Sequence, residues 1–242
     1  MNTPRIAVLV SAGRHPASGR PRRAECDARA VELALRIAPA ERIDLLHAGS
    51  DDPALRDYLG MGVGRLVVLA PPPDSDPVPA LSGWLKRRGI DLVLAGTHGE
   101  GAPGMGLLPY RLAHSLGMPI VANAASLRLE GNRAEVMRAR PEGLQRLALP
   151  FPAMITVGAA GPAPRQSAFG RARRGIVDVP AVPPEDVAPY TLEGELRPAR
   201  PRPLANPANV SRSGRSVHLP ASPQEAADTI RAFVAARGLT GR

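Results

Sequence analysis

The stretch Gly96-Thr97-His98-Gly99-Glu100-Gly101-Ala102-Pro103-Gly104-Met105-Gly106 holds the densest chemical information in the chain. It follows a short apolar run and leads into a helical pattern, which is where an open parallel sheet binds ligands. Glycines let a phosphate or ribose approach backbone amides at the start of a helix. The stretch reads as a nucleotide pocket, with a ligand-free glycine-rich turn as the plain alternative. It lacks a Gly-Lys-Ser/Thr ending, so it is not a P-loop. It follows the fourth strand rather than the first, so it is not the dinucleotide fingerprint. Both ATP hydrolysis and nicotinamide chemistry are disfavoured. His98 is a candidate general base, but with only Glu100 nearby it reads better as pocket lining. Cys26 stands before a helix whose dipole lowers a thiol pKa, yet with no second cysteine it reads as a small apolar residue. No nucleophilic triad, carboxylate dyad or metal-ligand spacing can be assembled, which points away from a self-sufficient enzyme.

A second stretch, Pro164-Arg165-Gln166-Ser167-Ala168-Phe169-Gly170-Arg171-Ala172-Arg173-Arg174-Gly175, sets one aromatic residue among basic and small ones. An apolar anchor flanked by steering charges suits docking onto a partner, and a solvated basic loop is the alternative.

The elements that position these residues follow from apolar periodicity. Short runs at residues 5–10, 42–48, 65–70 and 91–96 read as buried strands. Residues 27–38 space Ala30, Val31, Ala34, Leu35 and Ile37 as a helix. Asp51 and Asp52 open a short helix that ends near Gly60, and 77–88 and about 105–116 form two more. Alternating strands and helices predict an α/β fold with a mostly parallel doubly wound sheet. Turns at 130–132 and 141–143 then predict an antiparallel meander, followed by a strand at 152–158. Beyond Gly161 the chain turns rich in Pro and Arg and reads as an extended arm, and Ser222 opens an amphipathic helix to Arg237. The expected organisation is 1–160 as the nucleotide-binding-like domain with its hairpin extension, 161–221 as docking loop and arm, and 222–242 as the terminal helix.

Composition narrows the classes further. The 242 residues include 28 Pro and 24 Gly, about a fifth together, with only 3% aromatics, which excludes coiled coil and collagen. No apolar run reaches membrane-spanning length, the amino terminus is no secretory signal, and one cysteine excludes a disulfide framework, so a cytoplasmic location without membrane insertion is expected. The formal charge of +9 suggests a polyanion partner, but Lys86 is the single lysine among 31 basic residues. That is a chain-wide bias toward Arg, and no aromatic platform accompanies it, so nucleic acid is not the expected partner.

Several stretches, in collinear order, resemble the beta subunit of electron transfer flavoproteins. Residues 27–36 (Asp-Ala-Arg-Ala-Val-Glu-Leu-Ala-Leu-Arg), Met61-Gly62-Val63-Gly64-Arg65 within 55–69, Asp91 to Gly96, Leu116-Gly117-Met118-Pro119, residues 149–157, the basic loop from Pro164-Arg165 and the Ser222 helix carry the resemblance. It implies an α/β domain like that of adenine nucleotide alpha hydrolases in an electron carrier subunit, paired with an alpha subunit that holds most of the FAD, usually binding AMP as a structural nucleotide and docking a flavin-dependent dehydrogenase through its loop. By the resemblance, cofactor contacts fall on Leu9, Ser11, Cys26, Asp27, Ala48, Gly96, Thr97, Gly101, Gly104, Met105, Gly106 and Leu107. Partner docking falls on Arg165, Phe169, Arg171, Arg173 and Arg174. The chain departs from the family pattern at Ala24-Glu25-Cys26, where Asn-Pro-Phe is usual, and at Gly104-Met105-Gly106-Leu107, where Asp-Thr-Gly-Gln is common, which leaves AMP binding open. A stand-alone nucleotide-binding protein of the universal stress type is the alternative, and nucleic-acid binding through Arg197 to Arg202 ranks last.

Overall fold

The computed structural model describes residues 4–15, 17–73, 75–100, 106–189 and 220–237. They fall into two compact units divided between residues 191 and 192. Gly101, Gly104, Met105 and the arginines at 197–202 lie outside the described residues.

The first unit is built on a nine-stranded sheet of order β11-β5-β4-β1-β6-β10-β7-β8-β9. Its strands are β1 (Ile6–Leu9), β4 (Ile43–Ala48), β5 (Arg65–Leu69), β6 (Leu92–Gly96), β7 (Ile120–Glu130), β8 (Arg133–Arg140), β9 (Gly143–Pro150), β10 (Ala153–Val157) and β11 (Ile176–Asp178). Pairing is parallel from β11 through β7. It becomes antiparallel at β7, β8 and β9, as the turn residues require.

Strand alternation distributes the core to both faces. Ile6, Val8, Leu45, Leu66, Leu92 and Leu94 pack with α1 (Glu25–Ile37) and α2 (Arg56–Leu59). Ala7, Leu46, Val67, Val93 and Met154 face α3 (Pro77–Arg88) and α4 (Leu108–Leu116). Burial on both faces explains why these strands are continuous apolar runs rather than alternating ones. The doubly wound α/β reading is correct.

Three local differences stand out. A small hairpin of β2 (Ala12–Arg14) and β3 (Pro21–Arg23) precedes α1; Arg- and Pro-rich, it has no apolar period to reveal it. Helix α4 starts at Leu108, not near Met105. The stretch after Gly161 is not irregular throughout: it holds a helix, α5 (Phe169–Arg174), and then β11 at the sheet edge. A turn at Pro184–Asp186 then lies against α3, where Asp186 pairs with Arg87 at 2.7 Å. These short elements draw their stability from the surface they pack on rather than from their own pattern.

The second unit contains α6 (Pro223–Ala236), capped by Ser222 Oγ accepting from Glu225 N at 3.2 Å, while Glu225 accepts from Ala221 N.

Candidate functional site

The sheet order reverses direction between β1 and β6: the chain runs from β1 outward through β4 and β5, then returns to β6 on β1's other side. The carboxyl ends of these two strands frame the crevice where doubly wound folds bind ligands. Here they bring together Ser11, the first turn of α1, and residues 96–100.

Asp27 is the hub of this mouth. It is the third residue of α1 but does not cap its own helix. Its Oδ2 accepts from Ser11 N at 2.8 Å and Ser11 Oγ at 2.6 Å, and Oδ1 accepts from Gly96 N at 3.1 Å. One carboxylate thus ties the end of β1, the start of α1 and the end of β6. Burial pushes its pKa up to about 7, against the hydrogen bonds from Ser11 and Gly96 that pull it down. Gly96 must be glycine for this approach, since a Cβ would stand 2.3 Å from Asp27 Oδ1 and 2.9 Å from Cys26 Cβ.

Tyr58, fully buried, braces the same junction: its hydroxyl donates to Ser11 O at 2.8 Å and accepts from Ala24 N at 2.7 Å. Nothing in the sequence pattern separates it from an ordinary core aromatic. Cys26 is buried, with Sγ 3.8 and 3.9 Å from the two His98 ring nitrogens and 3.7 Å from Thr97 Oγ1. Burial pushes its thiol up despite the Thr97 hydrogen bond that pulls it down.

Of the other expected contacts, Leu9 is buried in the core facing α3 and α4, and Ala48 packs against that core from the end of β4. Gly106 and Leu107 lie just ahead of α4, and Leu107 is strongly exposed. The structure thus gathers Ser11, Cys26, Asp27, Gly96 and Thr97 into one connected cluster. It adds Glu100 and Arg22, which the expected contacts did not include. Glu100 Oε1 accepts from Glu25 N at 2.9 Å and from Arg22 Nη2 at 3.1 Å.

The second region is α5 and its approach. Phe169 is 80% exposed, and Arg171, Arg173 and Arg174 are exposed around the same helix. Arg165 is different: its backbone N, Nε and Nη2 all bond the buried Glu32 carboxylate of α1, with Nε at 2.7 Å. Burial pushes Glu32 up, but the bonds from Arg165 and Arg36 overcome this and hold its carboxyl below the usual value. Arg165 therefore anchors the segment. Further ties run from Ala168 N to Gly60 O and from Ile176 N to Gly64 O, each 3.0 Å. Glu32 was read from sequence only as a helix residue; an acid on the buried side of an amphipathic helix is the signal that could have marked it.

A protein-family model described as "Electron transfer flavoprotein domain" matches residues 22–185, which take in α1, β6 and the α5 platform but not β1 and Ser11. The chain belongs to the electron transfer flavoprotein beta subunit family. The electron transfer flavoprotein subunit beta of Chromohalobacter salexigens is 45% identical over 206 residues, covering 82% of this chain and 76% of that protein. The corresponding subunits of Mycobacterium leprae and Mycobacterium tuberculosis are 29% and 30% identical over 160 residues. In each case the match covers 60% of this chain and 60% of the relative, so the chain spans less than two thirds of those flavoprotein subunits. Among the described residues, no helix is long and apolar enough to cross a membrane.

Proposed function

We propose that this chain is the beta half of a heterodimeric electron carrier, receiving electrons from a flavin-dependent dehydrogenase and passing them onward through FAD held mainly by an alpha subunit. The observation that carries this reading is the presentation of Phe169. Phe169 is 80% exposed on a six-residue helix, and the chain fixes that helix in place through Arg165 and Glu32. An apolar anchor held rigid and surrounded by Arg171, Arg173 and Arg174 suits brief docking onto an acidic-rimmed pocket. Fast on-rates from charge, with one anchor setting the register, are what a shuttle visiting successive partners requires.

The mouth at β1 and β6 supports the division of labour. Ser11, Asp27 and Gly96 satisfy one another, so their role is to hold the crevice in shape rather than to react. FAD supplies the electron-accepting and electron-donating chemistry of the pair. Hydrogen bonds within this chain occupy Ser11, Asp27 and Gly96 at the mouth, which supports placing the flavin on the alpha subunit's side.

Co-expression with the cognate alpha subunit, followed by size exclusion and an absorbance spectrum, tests the reading. A one-to-one complex with an oxidised-flavin spectrum is the expected result. A colourless species that forms no complex with the alpha subunit overturns it.

A further inference from the structure

Family resemblance leads one to expect AMP in the crevice between the first turn of α1 and the residues after β6. The geometry of this chain points the other way. Ala24, at the N-cap of α1, offers no side-chain acceptor, and the N–H of Glu25, like every first-turn N–H, has no partner within the helix. Glu100 provides one: reaching back from the end of β6, its Oε1 accepts from Glu25 N at 2.9 Å. Its Oε2 lies 2.9 Å from Arg22 Nη2, so the nearest cation is neutralised by the same carboxylate. The fit is built in from a third element. Gly13 of β2 carries no side chain where one would collide with Glu100, because a Cβ there would stand 2.4 Å from Oε2.

We propose that Glu100 occupies the anion position of this crevice as an internal substitute for a ligand phosphate, so that this subunit folds and pairs without a structural adenine nucleotide. The proposal rests on the family reading above. A helix N-terminus favours negative charge, and a carboxylate there serves that end as a phosphate does. A nucleotide entering beside it would bring a phosphate against the Glu100 carboxylate, and like charges in a partly buried site repel. Glu100 also ties the end of β6 to the start of α1, so a phosphate taking the place of its carboxylate there must break that tie. Arg22 Nε is buried without a protein partner, so Arg22 retains donor capacity that would turn to an external anion once the carboxylate is gone.

The test uses the full chain in complex with its alpha subunit, purified without added nucleotide. Acid extraction and chromatographic quantification should find FAD but no stoichiometric AMP, ADP or ATP. One AMP per heterodimer overturns the proposal. Titration of AMP and of inorganic phosphate against the native complex and against Glu100→Gln, followed by calorimetry, gives the second reading. The amide keeps an acceptor for Glu25 N but removes the charge, so the variant is expected to fold and to bind AMP about tenfold more tightly than the native complex, a difference of about 1.4 kcal/mol. Equal affinity in both complexes overturns the proposal. The flavin spectrum of the same samples judges the carrier reading separately: absence of FAD sinks that reading whatever the AMP content.

Discussion

The crevice at β1 and β6 and the platform bearing α5 lie on the same unit and use the same residue types to opposite ends. In the crevice, carboxylates turn inward onto neighbours: Asp27 accepts from Ser11 and Gly96, and Glu100 Oε1 accepts from Glu25 N and Arg22. On the platform one buried acid, Glu32, holds Arg165 and Arg36, and what remains faces outward as Phe169 and exposed arginines. The contrast teaches where polar groups fix shape and where they are left available. A closed network rigidifies because each of its members is costly to leave unpaired. An open display is nearly neutral for stability, so its composition answers to a partner.

The largest effect that follows from this comparison is on stability. Replacing Asp27 with Ala leaves Ser11 N, Ser11 Oγ and Gly96 N without their acceptor, and the loss should be about 3 kcal/mol or more. Thermal and chemical denaturation of the complex measures it; a loss near zero would show that the crevice is not the closed network described.

Phe169→Ala should do the reverse. With the side chain mostly exposed, stability should move by less than about 0.5 kcal/mol. The rate of flavin reduction by the partner dehydrogenase, measured as kcat/KM, should fall about thirtyfold, the cost of losing an apolar anchor worth about 2 kcal/mol. An unchanged rate would remove the platform's half of the contrast.

Glu32→Gln tests whether the clamp serves the display. The variant keeps the side chain's shape but weakens the bonds to Arg165 and Arg36, and since both arginines are partly exposed the stability loss should be about 1 kcal/mol. Hydrogen exchange should increase at residues 165–176 and stay unchanged at Ser11 and Gly96. Equal loosening of both regions would show that they are one network.

The comparison also implies a pH signature of opposite sign in the two regions. Asp27 is raised from 3.8 to about 7, so the native state binds its proton more tightly than the unfolded chain does. Its contribution is fully present below the unfolded value and is lost as pH rises through about 7. Glu32 is lowered from 4.5, so its contribution is present above that value and is lost as pH falls below it. Denaturation midpoints of the native complex between pH 4 and 8, minus those of Asp27→Asn, should isolate a component that declines with rising pH. A flat difference would contradict the burial of Asp27.

Much of this architecture was legible before folding. Buried parallel strands announce themselves because both faces are apolar, and Asp52 and Ser222 mark helix starts because each accepts from a first-turn amide. The β2 and β3 hairpin, α5 and β11 were not, since three to six residues of Arg, Gly and Pro carry no period. Ser11, Cys26, Asp27, Gly96 and Thr97 could be assembled from the family resemblance. Arg22, Gly13, Tyr58 and Glu32 could not, because their partners lie 34 to 133 residues away in the chain.

The sequence by itself determined the parallel core, the meander, the helix caps and membership in a carrier family, because these depend on local periodicity and on ordered motifs. Only the tertiary structure decided which acids are buried and what they hold. Glu25, Glu32 and Glu100 are indistinguishable as letters. Packing leaves the Glu25 side chain open at the surface, sets Glu32 beneath Arg165 and aims Glu100 at the start of α1, since a charged group's role is set by the donors and the solvent that the fold places around it.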